Sequence, residues 1–373
     1  MIQRLLPEAK WLHDDSLEAL QALTVVESPS HEPVACRMAL DVAAQVCTSW
    51  LESPARIVEL DSETATACLR WGPAEPRVLL LGHVDTVWPR GTLARLPFAV
   101  NGDRITGPGV FDMKAGVVQS LMALRLLSDR SKVGLLLTTD EEIGSHRSRG
   151  VIAEAIARAH AVLVFEPSVD GALKTRRKGT SWYRLAFTGR AAHAGLDPER
   201  GINALLSAAR ASLDLVGLAE GETTLTPTLM SAGSTANTVP ASAELTLDVR
   251  AWTAAEQQRV DHGVRHYSPV QGELEVSGGI DRPALESSMS RNLFEVAQRV
   301  ADALELAPLR QAAVGGASDG NLTAAAGVAT LDGLGAVGDG AHAEHEWASS
   351  SAMIERAALA AGIIESLTKE PTA

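Results

Sequence analysis

The stretch Val78-Leu79-Leu80-Leu81-Gly82-His83-Val84-Asp85-Thr86 decides the reading of this chain. Its apolar run reads as a buried strand. His83 and Asp85 then lie where a loop leaves the carboxyl edge of a sheet, the edge at which open α/β sheets bind ligands. Residues two apart in an extended segment face the same side, so one imidazole and one carboxylate can approach each other or share one centre. A metal-bound histidine commonly donates its second ring N–H to such an acceptor. Alone, His-x-Asp reads equally well as a polar turn after a strand.

Further acidic and imidazole groups fall at other element ends. Asp112 lies in the Gly/Pro-rich segment 107–116, which opens a helical pattern from Val117 to Leu127. Glu141 and Glu142 close the apolar strand that begins at Leu135, and Glu166 closes the strand from Ala161 to Phe165. His342 sits in Gly338-Asp339-Gly340-Ala341-His342, placed by this pattern just before the final helix. Strands alternating with helices imply βαβ units, a parallel sheet and an α/β fold. Several chain segments thus deliver acid or imidazole to one sheet edge. Two histidines and three carboxylates can hold two divalent ions with one carboxylate bridging, as two-metal hydrolases do.

The chain has 373 residues, which predicts two domains, and 46% of it is apolar, enough for a large core. A net charge of −13 disfavours nucleic acid and anionic membranes as partners. Cys36, Cys47 and Cys68 are scattered, odd in number and without metal spacing, which predicts buried thiols in a reducing compartment. No signal region opens the sequence, and no apolar run approaches the ~20 residues of a membrane span. A cytoplasmic location is expected. The tail Lys369–Ala373 reads as disordered.

The rhythm changes near residue 180. Four strands (Tyr183–Phe187, Thr224–Ala232, Ala243–Arg250, Gly272–Ser277) flank two helical stretches (Gly201–Leu218, Ala254–Tyr267) in the order βαββαβ. That order predicts a small ferredoxin-like α/β sandwich. Residues 180–281 are therefore expected as an inserted domain, and 1–179 with 282–373 as the domain it splits.

In combination, several motifs resemble the M20 metallopeptidases: GHVDTV (82–87), the G-x-G-x-x-D-M-K-x-G block (107–116), TTDEEIGS (138–145), FEP (165–167), GRAAHAG (189–195), NTVP (237–240) and GAHAEHEW (340–347). The resemblance runs from about Leu17 to the last helix. LKTRRKG (173–179), DRPALE (281–286) and GGASDGN (315–321) resemble the glutamate carboxypeptidase branch.

The resemblance implies a zinc-peptidase-like catalytic domain with a mixed, mainly parallel sheet and an inserted lid and dimerisation domain. It implies that His83 and Glu166 bind one metal, Glu142 and His342 the other, and that Asp112 bridges them. Asp85 would orient His83, and Glu141 would be the general base. One residue of the Glu141–Glu142 pair can coordinate while the other stays free, because neighbours leaving a strand point to opposite sides. His342 is preferred over His345 because it follows a Gly-Ala pair and has Glu346 four residues on. Mixed nitrogen and oxygen donors suit zinc, with cobalt or manganese as substitutes. The resemblance also implies a cis peptide between Asp112 and Met113, and a homodimer in which His193 reaches the partner's active site. His13, His31, His146, His160, His262 and His266 carry no supporting motif, and Asp197 reads as a helix cap.

The expected activity is hydrolysis of an amide that releases a C-terminal amino acid, glutamate above others, from a peptide or N-acyl amino acid. A free carboxylate on the leaving group needs a cation, and arginine offers bidentate geometry. Arg250, Arg282 and Lys174 are the candidates. The cluster Lys174, Arg176, Arg177 and Lys178 reads otherwise as a solvated loop between domains. Asn237 would meet the scissile carbonyl, and Gly316, in the 315–321 turn, would line the pocket. The alternatives are an N-acyl-amino-acid deacylase with the same centre, and a non-catalytic binding protein, which predicts lost ligand residues.

Overall fold

The structure, a computed structural model, describes residues 2–61 and 64–369. Its first compact unit comprises Met1–Arg176, Ser287–Ala313 and Ser318–Ala373, and its second Arg177–Glu286 with Val314–Ala317.

The strand Val78–His83 lies inside a six-stranded sheet. The spatial order is Arg56–Asp61, Thr66–Trp71, Val133–Thr138, Val78–His83, Ala161–Val164, Ala329–Leu331. The last four run parallel and the first two are antiparallel neighbours at one edge. Every residue of Val78–His83 and Val133–Thr138 is buried, as expected for parallel strands covered on both faces.

Alternation along these strands feeds two cores. Leu80, Leu135, Leu137 and Leu163 pack on one face with residues of Pro33–Leu51, Ala115–Leu126, Ser287–Ala303 and Ser350–Lys369. Leu79, Leu81, Leu136, Val162 and Val164 pack on the other with Val151, Ile152 and Ile156. Truncating one such leucine to alanine typically costs 2–5 kcal/mol, so the sheet edge rests on a stiff base.

The helix Ala115–Leu126 is buried along almost its whole length. A Cβ on Gly116 would lie 2.0 Å from the Phe165 carbonyl oxygen. Only glycine lets the helix start touch the end of the Glu166 strand, and this contact sets the Asp112 segment beside Glu166.

The second unit has its own four-stranded antiparallel sheet, ordered Thr224–Ala232, Ser242–Ala251, Gly179–Thr188, Glu273–Arg282. Its helices are Ala204–Val216 and Ala254–Arg265. Tyr183, Leu185, Leu245 and Leu247 build its core with Ala208, Ala211, Val260 and Val264. The βαββαβ order is as expected. Three of the strands are longer, and the last extends to Arg282.

Four local expectations change. His342 does not directly precede the last helix, because the strand Trp347–Ser349 stands between it and Ser350–Lys369. Lys174–Arg177 is not a solvated loop: it belongs to the strand Leu173–Arg177, with Lys174, Thr175 and Arg177 buried. The expected 315–321 turn is helical from Asp319 on. Asp319 begins the helix Asp319–Ala325, capped by Ser318, and its buried carboxylate accepts from the Ser145 and Thr138 hydroxyls. In the expected disordered tail, Lys369 closes the last helix with its Nζ 2.8 Å from Glu365; residues 370–373 lie outside the described residues.

Candidate metal centre

Three neighbouring parallel strands end together, and each contributes to one cluster. His83 is the last residue of its strand, Glu141 and Glu142 follow the next, and Glu166 follows the third. Asp112 arrives from the segment before the helix Ala115–Leu126, and the Asp112–Met113 peptide is cis as the resemblance implied. His342 enters from the turn between Gly338–Asp339 and Trp347–Ser349, in the left-handed region at φ 61°, where histidine is among the enriched non-glycine residues.

The two oxygens of Asp112 face different imidazoles. Oδ1 is 3.6 Å from His83 Nε2, and Oδ2 is 3.5 Å from His342 Nε2. Glu166 Oε1 lies 3.6 Å from His83 Nε2, and Glu142 lies 3.2 Å from His342 Nε2. Most of these gaps are long for hydrogen bonds. Two ligand atoms each about 2.0–2.2 Å from a tetrahedral ion would stand about 3.4 Å apart, which is the spacing found. His83 Nε2 and Asp112 Oδ1 are buried with no hydrogen-bond partner. The donor set therefore fits divalent ions, which His83, Asp112, Glu142, Glu166 and His342 would hold.

His83 Nδ1 lies 2.9 Å from the main-chain oxygen of Asp85 and 3.5 Å from its carboxylate. The carbonyl is thus the nearer partner, and the tautomer it favours leaves Nε2 as a donor for a cation. The Asp85 carboxylate serves mainly another purpose: it accepts the N–H groups of Glu141 and Glu142 and the Ser30 hydroxyl.

Carboxylate charge is concentrated around the two imidazoles. Burial alone would depress the His83 imidazole, but Asp112, Asp85 and Glu166 outweigh it and hold its pKa well above the ordinary value. Asp112 and Glu142 raise His342 to about 10. Burial, aided by the Asp112 charge, pushes Glu142 up to about 7. Burial works against Asp112 too, yet His342, His83 and the Lys174 ammonium keep it far below the usual carboxylate range.

Glu141 belongs to the same cluster: its carboxylate lies within 4.8 Å of the ligand atoms of His83 and Glu166. The two glutamates do not leave the strand in extended backbone, because Glu141–Ile143 is a single 3-10 turn. Glu141 groups with His83 and Glu166, and Glu142 with His83 and Asp112.

Other expected residues lie in the second unit. His193 and Asn237 come together there, through a bridge between His193 and Thr238 and an Ala194 N–H to Asn237 carbonyl bond of 2.9 Å. His193 Nδ1 accepts the Gly195 N–H at 3.1 Å, so the neutral ring carries its proton on Nε2. Asp197 stands at the N-cap of Pro198–Arg200 without a side-chain cap bond; its carboxylate accepts the His193 N–H at 3.2 Å instead. Arg250 spends its guanidinium on Asp248, with two bonds of 2.8 Å. Arg282 is buried. The Gly316 carbonyl accepts from Arg177 at 3.1 Å.

Ser30 went unnoticed in the sequence. A serine in Glu27-Ser28-Pro29-Ser30 carries no metal spacing, and only the fold brings it to Asp85. Glu346 was noticed only as a marker for His342.

Residues 79–366 match the profile of peptidase family M20/M25/M40. The chain belongs to that family. It is 32% identical over 319 residues to carboxypeptidase G2 of Pseudomonas sp. (strain RS-16), covering 79% of this chain and 75% of that protein. In fold it is similar to the M20 family metallo-carboxypeptidase Sso-CP2 from Sulfolobus solfataricus, with TM-score 0.69, 14% identity and coverage of 94% and 99%. It is also similar to the Bacillus subtilis YXEP protein, a dinuclear metal-binding M20 peptidase, with TM-score 0.65, 15% identity and coverage of 97% and 99%. At such identities the structural likenesses speak for the fold alone. As an M20 metallopeptidase the chain is a hydrolytic enzyme with an α/β catalytic fold, and among its described residues no helix is long and apolar enough to cross a membrane.

Proposed function

We propose that this M20 enzyme is a two-metal carboxypeptidase that hydrolyses an amide and releases a C-terminal amino acid, glutamate above others, from a peptide or N-acyl amino acid. The observation that carries the proposal is Asp112, with one oxygen toward His83 and the other toward His342. His83 and Glu166 are assigned to one ion, His342 and Glu142 to the other, and Asp112 to both. Zinc suits this donor set, with cobalt or manganese as substitutes. When bound, such ions polarise the carbonyl and lower the pKa of water.

The protein groups then divide the remaining work. Glu141, buried beside His83 and Glu166, accepts the proton of the attacking water and passes it to the departing amine nitrogen. Its main-chain N–H is held by Asp85, and positioned acid–base groups of this kind typically contribute about 10²–10⁴-fold. His193, protonated on Nε2, is suited to donate to the carbonyl oxygen as charge develops, with Asn237 beside it. On the resemblance we assign the leaving carboxylates to Arg282 with Lys174 or Arg250, the last of which is paired with Asp248. Lys174 is buried, and its charge acts on Asp112. The resemblance of LKTRRKG, DRPALE and GGASDGN to the glutamate carboxypeptidase branch favours glutamate.

We further propose that the second unit, as a lid and dimerisation domain, forms a homodimer that lends His193 to the partner's site. Support comes from the resemblance and from the edge strand Thr224–Ala232, where Leu229 is 71% exposed, since bare edges are normally covered. The free, buried thiols of Cys36, Cys47 and Cys68 favour a reducing, cytoplasmic compartment.

The test is a hydrolysis screen of the metal-loaded enzyme. Substrates would pair acetyl, benzoyl, folyl and aminoacyl groups with glutamate, other C-terminal residues and their amides. Release of free glutamate, lost on amidation, is the expected result. Preference for N-acetylated basic amino acids would favour the deacylase reading. Mixing Glu141→Gln and His193→Ala subunits should restore partial activity, and failure despite proven exchange would remove the trans role.

A further inference from the structure

Glu346 is fully buried, and every hydrogen bond its carboxylate accepts comes from a chain segment near the metal cluster. Oε2 accepts the Trp88 indole N–H at 2.8 Å and the Gly109 N–H at 2.9 Å. Oε1 accepts the Phe111 N–H at 2.9 Å and the Asp112 N–H at 3.1 Å. Trp88 stands on the loop that leaves His83. Gly109, Phe111 and Asp112 form the turn that presents the bridging carboxylate. Glu346 itself closes the turn that carries His342, through its own N–H to the Ala343 carbonyl at 2.9 Å. Gly340 makes this turn tight: its φ is 85°, and a Cβ there would lie 2.8 Å from the Glu346 main chain.

One side chain thus ties the loops of His83, Asp112 and His342 together. A carboxylate suits the place because all four donors are N–H groups and an ionised carboxylate only accepts. Charge-assisted bonds of this kind are roughly twice as strong as neutral ones. A glutamine would turn one end into a donor facing N–H groups, and a leucine would strand all four.

We propose that Glu346 is a positioning residue: it fixes Asp112 midway between His83 and His342 and so sets the spacing at which two metal ions are held. The proposal rests on the assignment of Asp112 as the bridge. Glu346 touches neither substrate nor metal and acts only through the main chain of residues 109–112. Groups that orient metal ligands typically change metal affinity or activity by 10–100-fold when replaced.

The test is cobalt titration of the metal-free full-length protein, followed by calorimetry and by the visible absorption of bound Co²⁺. Wild type, Glu346→Gln, Glu346→Asp, Trp88→Phe and Asp112→Asn would be compared, with thermal midpoints of the metal-free forms recorded in parallel. Glu346→Gln should bind the second Co²⁺ at least tenfold more weakly, with an altered spectrum. Glu346→Asp keeps the charge but is one methylene short, so it should fall between Gln and wild type. Trp88→Phe leaves the three main-chain bonds in place and should stay within about threefold of wild type.

A lower midpoint with wild-type affinities and spectrum in Glu346→Gln would show a merely structural role and overturn the proposal. Should Glu346→Gln fail to fold, wild-type binding by Glu346→Asp would overturn it equally. If Asp112→Asn also leaves both affinities intact, the bridge assignment itself falls; if only the Glu346 variants are silent, the bridge stands and the positioning role is refuted.

Discussion

The Asp85 carboxylate accepts the main-chain N–H of Glu142 at 3.2 Å, and its other oxygen accepts that of Glu141 at 3.3 Å. The same residue holds His83 Nδ1 through its carbonyl at 2.9 Å, and Ser30 supports its carboxylate at 2.7 Å. One aspartate therefore aims an imidazole with its main chain and both glutamates with its side chain. Burial would raise its pKa, but the His83 imidazole, the Ser30 hydroxyl and the Glu142 N–H outweigh burial and hold it below the ordinary carboxylate value.

Replacing Asp85 by asparagine should therefore disturb the glutamate turn more than the histidine. The amide must place an NH2 against one of the two N–H groups. Losing a hydrogen bond to a buried charge costs about 1.5–3 kcal/mol, which is about 10- to 100-fold in kcat/KM. Ser30→Ala removes one supporting bond and should cost only a few-fold. Steady-state kinetics with far-UV circular dichroism as a folding check decide this, and equal losses in both variants would contradict it.

The cysteines give a prediction with a definite sign in pH. Burial raises Cys47 from 9.0 to about 12 and Cys68 to about 11, and burial with the Asp85 charge raises Cys36 further. The fold thus favours the neutral thiol. That contribution is fully present below about pH 9 and is lost as pH rises through the folded values. A thiol reagent at pH 8 should find no reactive group in the native protein and three after denaturation. Rapid labelling of any one in the native state would place it at the surface.

How much of this was legible in the sequence follows from the kind of contact involved. Val78–Leu81 announced the central strand because burial on both faces leaves an unbroken apolar run. His83, Asp112, Glu142, Glu166 and His342 were legible because each sits at an element end, in a recognisable motif. The direction of Glu141 relative to Glu142 was not, since it depends on a 3-10 turn pinned by Asp85 across 56 residues of chain. Ser30 and the four bonds to Glu346 were hidden for the same reason. Arg250 pairs with Asp248, two residues away on the same strand face, a local contact that a search for substrate cations passes over.

Glu141→Gln separates the proposed base from the proposed ligands. Positioned acid–base catalysis contributes about 10²–10⁴-fold, so kcat should fall by at least that range. Metal content by elemental analysis should stay at the wild-type value, because Asp112, Glu142, Glu166 and both histidines remain. Loss of an ion in this variant would make Glu141 a ligand, a role its place beside His83 and Glu166 also allows geometrically.

The strongest discrimination comes from comparing Asp112→Asn with Glu166→Gln. Asp112 faces both imidazoles, whereas Glu166 faces only His83. If Asp112 bridges, its replacement should weaken both ions, and titration of the metal-free variant should give low affinity throughout. Glu166→Gln should weaken only the ion on the His83 side and leave one tight site built from His342, Glu142 and Asp112. Removing either carboxylate also removes negative charge beside a buried imidazole, so His83 should protonate less readily in both variants, visible as a lower imidazole pKa by NMR in the metal-free state. Two tight sites surviving in Asp112→Asn would rule out the bridge, and loss of both sites in Glu166→Gln would mean that the ions bind as one cooperative unit instead of two assignable sites.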